Sequence, residues 1–285
     1  MSKKILIPTD FSKNSWNALV YALNLYKDEE CTFYLLNVFQ LYDFPTDTIR
    51  DAAPGEAEYE KEKEKSESGL EGLLEGINMR NDTSNHHFEI ISKYNKVIDA
   101  VRETVKEKGI EFLIMGTKGE NNPETTLYGS NAVDVIEKVQ NCPVLVLPPD
   151  FNFEEKVNNE VVFATNFKTL YNHHELDYLV DIAKRSKAAV RVLYVQESDK
   201  LSSVQEENKK VLNDHLKEIV STFHTLTNIK VAEGIHSFIE SRGSGMLALV
   251  NKKHGFFSSI FSKSLVKEIG HKPQVPVLVL HVLKS

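Results

Sequence analysis

Short apolar runs alternate along the chain with longer stretches whose apolar residues recur every three or four positions, the pattern of strands alternating with amphipathic helices. In the first half the runs predict strands at Lys4–Ile7, Thr32–Val38, Phe88–Ser92, Phe112–Met115 and Val144–Leu147. Their continuous β-branched and aromatic character suits strands covered on both faces, as in a parallel sheet. Between them, Ser12 or Ser15 caps a helix that turns Trp16, Leu19, Val20 and Leu23 inward, and Val97, Val101 and Val105 mark a helix ending at Gly109. The Glu/Lys-rich stretch Glu56–Ile77 reads as a solvated helix. In the second half the predicted strands are Val161–Ala164, Val190–Val195, Lys230–Ala232, Met246–Val250 and Val277–His281.

The two halves match locally at three places: ILIPTDFS from Ile5 with VVFATNFK from Val161, YLLNVF from Tyr34 with VLYVQE from Val192, and PVLVLP from Pro143 with PVLVLH from Pro276. The expectation is two tandem doubly wound α/β domains, residues 1–150 and 160–285, joined by a linker at 151–159. Each is expected to be a Rossmann-like, five-stranded, mainly parallel sheet with helices on both faces.

Charge and cysteine usage narrow the classes. With 34 Lys and Arg against 41 Asp and Glu, the formal charge of −7 opposes general attraction to nucleic acid or anionic lipid. No run approaches the roughly 20 apolar residues of a membrane span, and the apolar run after MSKK is too short for a signal segment. The two cysteines, Cys31 and Cys142, stand without metal or redox spacing, which fits reduced thiols in the cytoplasm.

Candidate chemistry gathers after the strand FLIMG. Gly116, two residues, Gly119, nine residues, then Gly129, Ser130 and Asn131 place small residues on both sides of a loop that opens a helix. Positive φ at Gly116 and Gly119 would let loop amides approach an anion, and the helix start adds unpaired N–H groups and a favourable dipole. Lys118 supplies a point charge for a phosphate oxygen. Asp10 ends the first strand where an open parallel sheet places its ligand crevice.

With this GxxG, nine-residue gap, Gly-Ser pattern, the chain resembles the universal stress protein family, and the resemblance covers both halves. It implies an ATP or related adenine-nucleotide site, with or without Mg²⁺. Asp10 would lie beside the ribose or adenine, Val38, Phe39 and Met115 against the nucleoside, and Gly116, Lys118, Gly119, Gly129, Ser130 and Asn131 around the phosphates. It also implies pairing through the last strand, either in a homodimer or between the halves as an intramolecular pseudo-dimer, and a regulatory partner protein that the sequence does not identify. The second half departs from the pattern: Asn166 stands at the place of Asp10, Asn251, His254 and Ser264 at those of Gly116, Gly119 and Gly129, beside Lys252, Lys253, Lys263, Phe256 and Phe257. No nucleotide is expected there.

No GxxxxGK[ST], GxGxxG, SGGxDS or GxSxG motif is present. The adjacent pairs His86/His87 and His173/His174 make poor chelates and read as surface polar residues. The expectation is a binding module, with slow ATP hydrolysis or a nucleotide-independent scaffold as the alternatives.

Overall fold

The computed structural model describes residues 2–43, 48–49, 54–80, 85–117, 129–149, 151, 158–171, 173–196, 200–251 and 275–281. The first half contains β1 (Lys3–Thr9), α1 (Lys13–Leu25), β2 (Cys31–Phe39), the short pair β3 (Tyr42–Asp43) and β4 (Thr48–Ile49), α2 (Ala57–Asn78), β5 (His87–Tyr94), α3 (Val97–Lys108), β6 (Phe112–Gly116), α4 (Ser130–Lys138) and β7 (Val144–Leu147). The second contains β8 (Asn158–Ala164), α5 (His173–Arg185), β9 (Ala189–Val195), α6 (Ser203–His215), β10 (Ser221–Leu226), α7 (Val231–Arg242), β11 (Ser244–Asn251) and β12 (Val277–His281).

Ten strands form one sheet in the order β10-β9-β8-β11-β12-β7-β6-β1-β2-β5. Each half supplies five mutually parallel strands in the same order. The halves join where β12 runs antiparallel to β7, with Val277, Leu278 and Val279 opposite Val146, Leu145 and Val144. Left alone, each of these apolar strands would be an exposed edge open to aggregation; pairing them removes both edges. Alternation along the strands divides the core. Ile5 and Ile7 of β1 belong to one core layer with residues of α1, α2, α5 and α6, and Leu6 to the other with residues of α3, α4 and α7, so helices cover both faces.

Charged groups reinforce the contact between halves. Lys3 Nζ lies 2.8 Å from Asp181 Oδ2, and Arg185 bonds both Asp181 and Glu29 while its guanidinium sits 4.6 Å over the Tyr26 ring. Burial alone would raise the Asp181 carboxyl, but the hydrogen bonds from Arg185 and Lys3 hold it below its usual range.

The parallel strands fall where the apolar runs predict them, with one correction. Lys230–Ala232 is not a strand: Lys230 is the N-cap of α7, whose Ile235 and Phe238 face the core and whose C-cap is the left-handed Gly243. The third strand of that half is β10, STFHTL, an edge strand whose half-buried and exposed residues carry no apolar run. Also, β8 begins at Asn158, inside the stretch read as linker.

Both cysteines are buried, which pushes the Cys31 thiol up to about 11 and Cys142 up to about 12. His86 is buried rather than on the surface, its ring set edge to face against Phe33 with centroids 5.0 Å apart, whereas His87 and His174 are exposed. Among the described residues no group of three or more His, Cys, Asp or Glu could hold a metal ion, and no helix is long and apolar enough to cross a membrane.

Candidate functional site

The turn after β1 is built from its own side chains. Phe11 adopts φ 65°, a left-handed conformation that costs a non-glycine residue about 1–2 kcal/mol. Its N–H donates to Thr9 Oγ1 at 3.1 Å, and Asp10 Oδ1 accepts from the Ser12 N–H at 3.1 Å and from the Ser12 hydroxyl. Ser12, not Ser15 or Asp10, caps α1, its Oγ accepting from the Ser15 N–H at 3.2 Å. The Phe11 ring rests on α2 at Gly69, where an added Cβ would fall 2.4 Å from the ring. Asp10 remains exposed at the mouth of the turn.

The second half repeats this turn with different chemistry. Phe167 has φ 55°, its N–H donates to Thr165 Oγ1 at 3.0 Å, and Asn166 Oδ1 accepts from the Lys168 N–H at 3.0 Å. The amide reproduces the bond that the carboxylate makes but carries no charge. Here α6 ties the turn down: Gln205 Nε2 donates to the Asn166 carbonyl at 2.7 Å and Asn208 Nδ2 to that of Phe167 at 2.8 Å. Accordingly Phe167 is 2% exposed, against 41% for Phe11.

In the first half the strand order reverses between β1 and β6, the point outside whose carboxyl ends an open parallel sheet places its ligand crevice. Extending the register that pairs Ile5 with Phe112 and Thr9 with Asn37 sets Val38, Asp10 and Thr117 in one row across β2, β1 and β6. At the usual strand spacing the row spans about 10 Å, the length of a nucleoside. Val38 is half-buried and Met115 buried, both against the core on the α3 and α4 side. The Gly129 N–H donates to the Thr117 carbonyl at 2.7 Å, which brings the start of α4 to the end of β6. Ser130 and Asn131 stand exposed in the first turn of α4. The helix therefore presents its unpaired N–H groups beside the row.

One expectation needs correction. Gly116 is not among the positive-φ residues: it continues β6, and an added Cβ would lie 2.5 Å from Nδ2 of Asn14, whose buried side chain on α1 would have to shift. Gly129, with φ −62° and ψ 153°, is the N-cap of α4, and Ser130 is its first residue. Lys118 and Gly119, and in the second half Lys252, Lys253, His254, Phe256, Phe257, Lys263 and Ser264, lie outside the described residues.

The sequence reading missed Thr117. Its hydroxyl is buried, 1% exposed as a residue, with no hydrogen-bond partner among the described residues, although its N–H and carbonyl are both used. A hydroxyl left so costs about 1–3 kcal/mol unless something else meets it. The signal was a single polar residue directly after the buried run FLIMG.

The universal stress protein family model matches residues 1–148. Universal stress protein MJ0531 of Methanocaldococcus jannaschii is 31% identical over 149 residues, 51% of this chain and 81% of that protein. Universal stress protein MJ0577 of the same organism is 34% identical over 157 residues, 52% of this chain and 95% of that protein. Among solved structures, a universal stress protein from Archaeoglobus fulgidus superposes with a TM-score of 0.71 at 19% identity, covering 99% of this chain and 97% of its own. A functionally unknown protein, PA1789, from Pseudomonas aeruginosa gives 0.64 at 12% identity, over 99% and 93%. These two likenesses speak for the fold.

Proposed function

Because the chain belongs to the universal stress protein family, we propose that it is a cytoplasmic regulatory module that binds ATP or a related adenine nucleotide. The site lies in a first domain, residues 1–150, and the second domain, 160–285, is a tandem copy that does not bind the nucleotide. The observation that carries this reading is the bond between Gly129 and Thr117, which joins the helix start to the row of Val38, Asp10 and Thr117. In it, Val38 and Met115 line the apolar side against the base and Asp10 accepts from the ribose. The start of α4, with Ser130 and Asn131, receives phosphate oxygens. Gly116, Lys118 and Gly119 complete the phosphate side, and Mg²⁺, when bound, neutralises phosphate charge. The buried Thr117 hydroxyl supplies a further donor.

The activity is binding, and it acts on a partner protein through the different affinities of two states for the ligand. Asp10 can be tested without disturbing its turn, because Asn166 already makes the same turn in the second half. Asp10→Asn is expected to keep the melting temperature and to weaken ATP binding about tenfold, the difference between a charged and a neutral acceptor. Asp10→Ala, which also loses the turn bond, weakens it further. Calorimetric titration of both variants measures this; unchanged affinity in Asp10→Asn removes Asp10 from the site.

A further inference from the structure

Helix α4 starts at the first crevice and finishes against the second half. Its nine residues make a rod of about 13 Å. The antiparallel pairing of β12 with β7 sets the carboxyl ends of β11 and β12 near the amino end of β7, to which the end of α4 leads the chain. There Asn251 Nδ2 donates to the Ile136 carbonyl at 3.0 Å. That carbonyl belongs to the last turn of α4, whose oxygens a helix leaves without internal partners. The strand register makes Asn251 the counterpart of Thr117, not of Gly116: Leu247 pairs with Val277 as Leu113 pairs with Val144, so Val250 opposite Leu280 stands where Gly116 stands opposite Leu147. In the first half the residue at this position, Thr117, accepts from the Gly129 N–H through its carbonyl; in the second it carries a side chain that reaches into the other half.

We infer that Asn251 is a positioning residue for the first crevice: it holds α4 by its carboxyl end and thereby sets where the amino end meets the ligand. The inference rests on the nucleotide reading above. A hydrogen-bonded helix moves as a unit, so a tilt released at Ile136 displaces Gly129, Ser130 and Asn131. Buried Ala132 and Val135 hold the body of α4 to the sheet, about which its two ends move in concert. By linkage, a contact that favours ATP is itself favoured by ATP.

The full chain is titrated with ATP and Mg²⁺ by calorimetry as wild type, Asn251→Ala and Asn251→Asp, and amide exchange of residues 130–140 is followed without ligand. Asn251→Ala is expected to weaken ATP binding about threefold to tenfold, the share of one hydrogen bond, and to speed exchange in the last turn of α4. Asn251→Asp weakens it more, since a carboxylate then faces a carbonyl and the negative end of the helix dipole. A merely structural role would lower the melting temperature without this order in affinity. Wild-type protein that binds ATP, with both variants binding equally well, overturns the inference and leaves the nucleotide reading standing. Wild-type protein that binds no ATP overturns both.

Discussion

Gly129→Val is expected to weaken ATP binding about a hundredfold while the protein stays folded. The backbone at Gly129, φ −62° and ψ 153°, is one that any residue adopts. Glycine is therefore not needed there for conformation. It is buried, and it caps a helix whose first N–H groups face the crevice. A valine side chain would occupy the space where a phosphate approaches those groups, and overpacking of a tight contact costs about 1–3 kcal/mol, the upper end of which is about a hundredfold in affinity. Valine is also a poorer N-cap than glycine, which lowers stability by about 1 kcal/mol. Gly116→Val would be a weaker test, because the 2.5 Å approach to Asn14 would damage the fold itself. Titration calorimetry beside a thermal melt separates the two effects: wild-type affinity in a folded Gly129→Val protein would take the start of α4 out of the site.

Glu160→Ala is expected to destabilise the protein by about 2–4 kcal/mol, with the effect vanishing in acid. Glu160 lies in β8 and is 8% exposed. Its Oε1 accepts from Arg242 Nε at 2.9 Å, and its Oε2 from Arg242 and Arg191, each at 2.7 Å. The Arg242 bonds, with those of Arg191, hold the carboxyl below its usual range against the opposing effect of burial. Removing it leaves two guanidinium groups facing one another, with His224 close enough that both arginines already depress its imidazole, after burial. Since Glu160 titrates lower in the folded chain than in the unfolded one, its contribution is complete above the ordinary carboxylate range and is lost as pH falls through the folded value. The melting-temperature gap between wild type and Glu160→Ala should therefore be constant near neutral pH and close below about pH 4. A gap that widens in acid contradicts this account.

Most of the parallel strands were legible because they are buried on both faces and so are apolar without interruption, as in Ile5–Ile7 and Val144–Leu147, while the edge strand β5 was legible from Phe88, Ile90 and Ile91 alone. β10 was not, because this edge strand is only partly covered on either face, which leaves Thr222 exposed on one and Thr225 on the other. The duplication held the missing signal: Lys96 and Val97 open α3 before Gly109 just as Lys230 and Val231 open α7 before Gly243. At the end of β6, spacing gave the wrong reason for Gly116, because the atom that an added side chain would meet there belongs to Asn14, 102 positions earlier in a different element. Glu160 and Arg242 were likewise invisible, being joined by folding across 82 residues.

Titration of the nucleotide-stripped full chain with ATP and Mg²⁺ tests the central claim most directly. The account predicts about one ATP per chain, with that binding lost in folded Gly129→Val protein. Two ATP per chain would mean that the second half keeps a site despite Asn166 and Asn251, and no binding up to millimolar ATP would contradict the account and leave the paired halves as a scaffold.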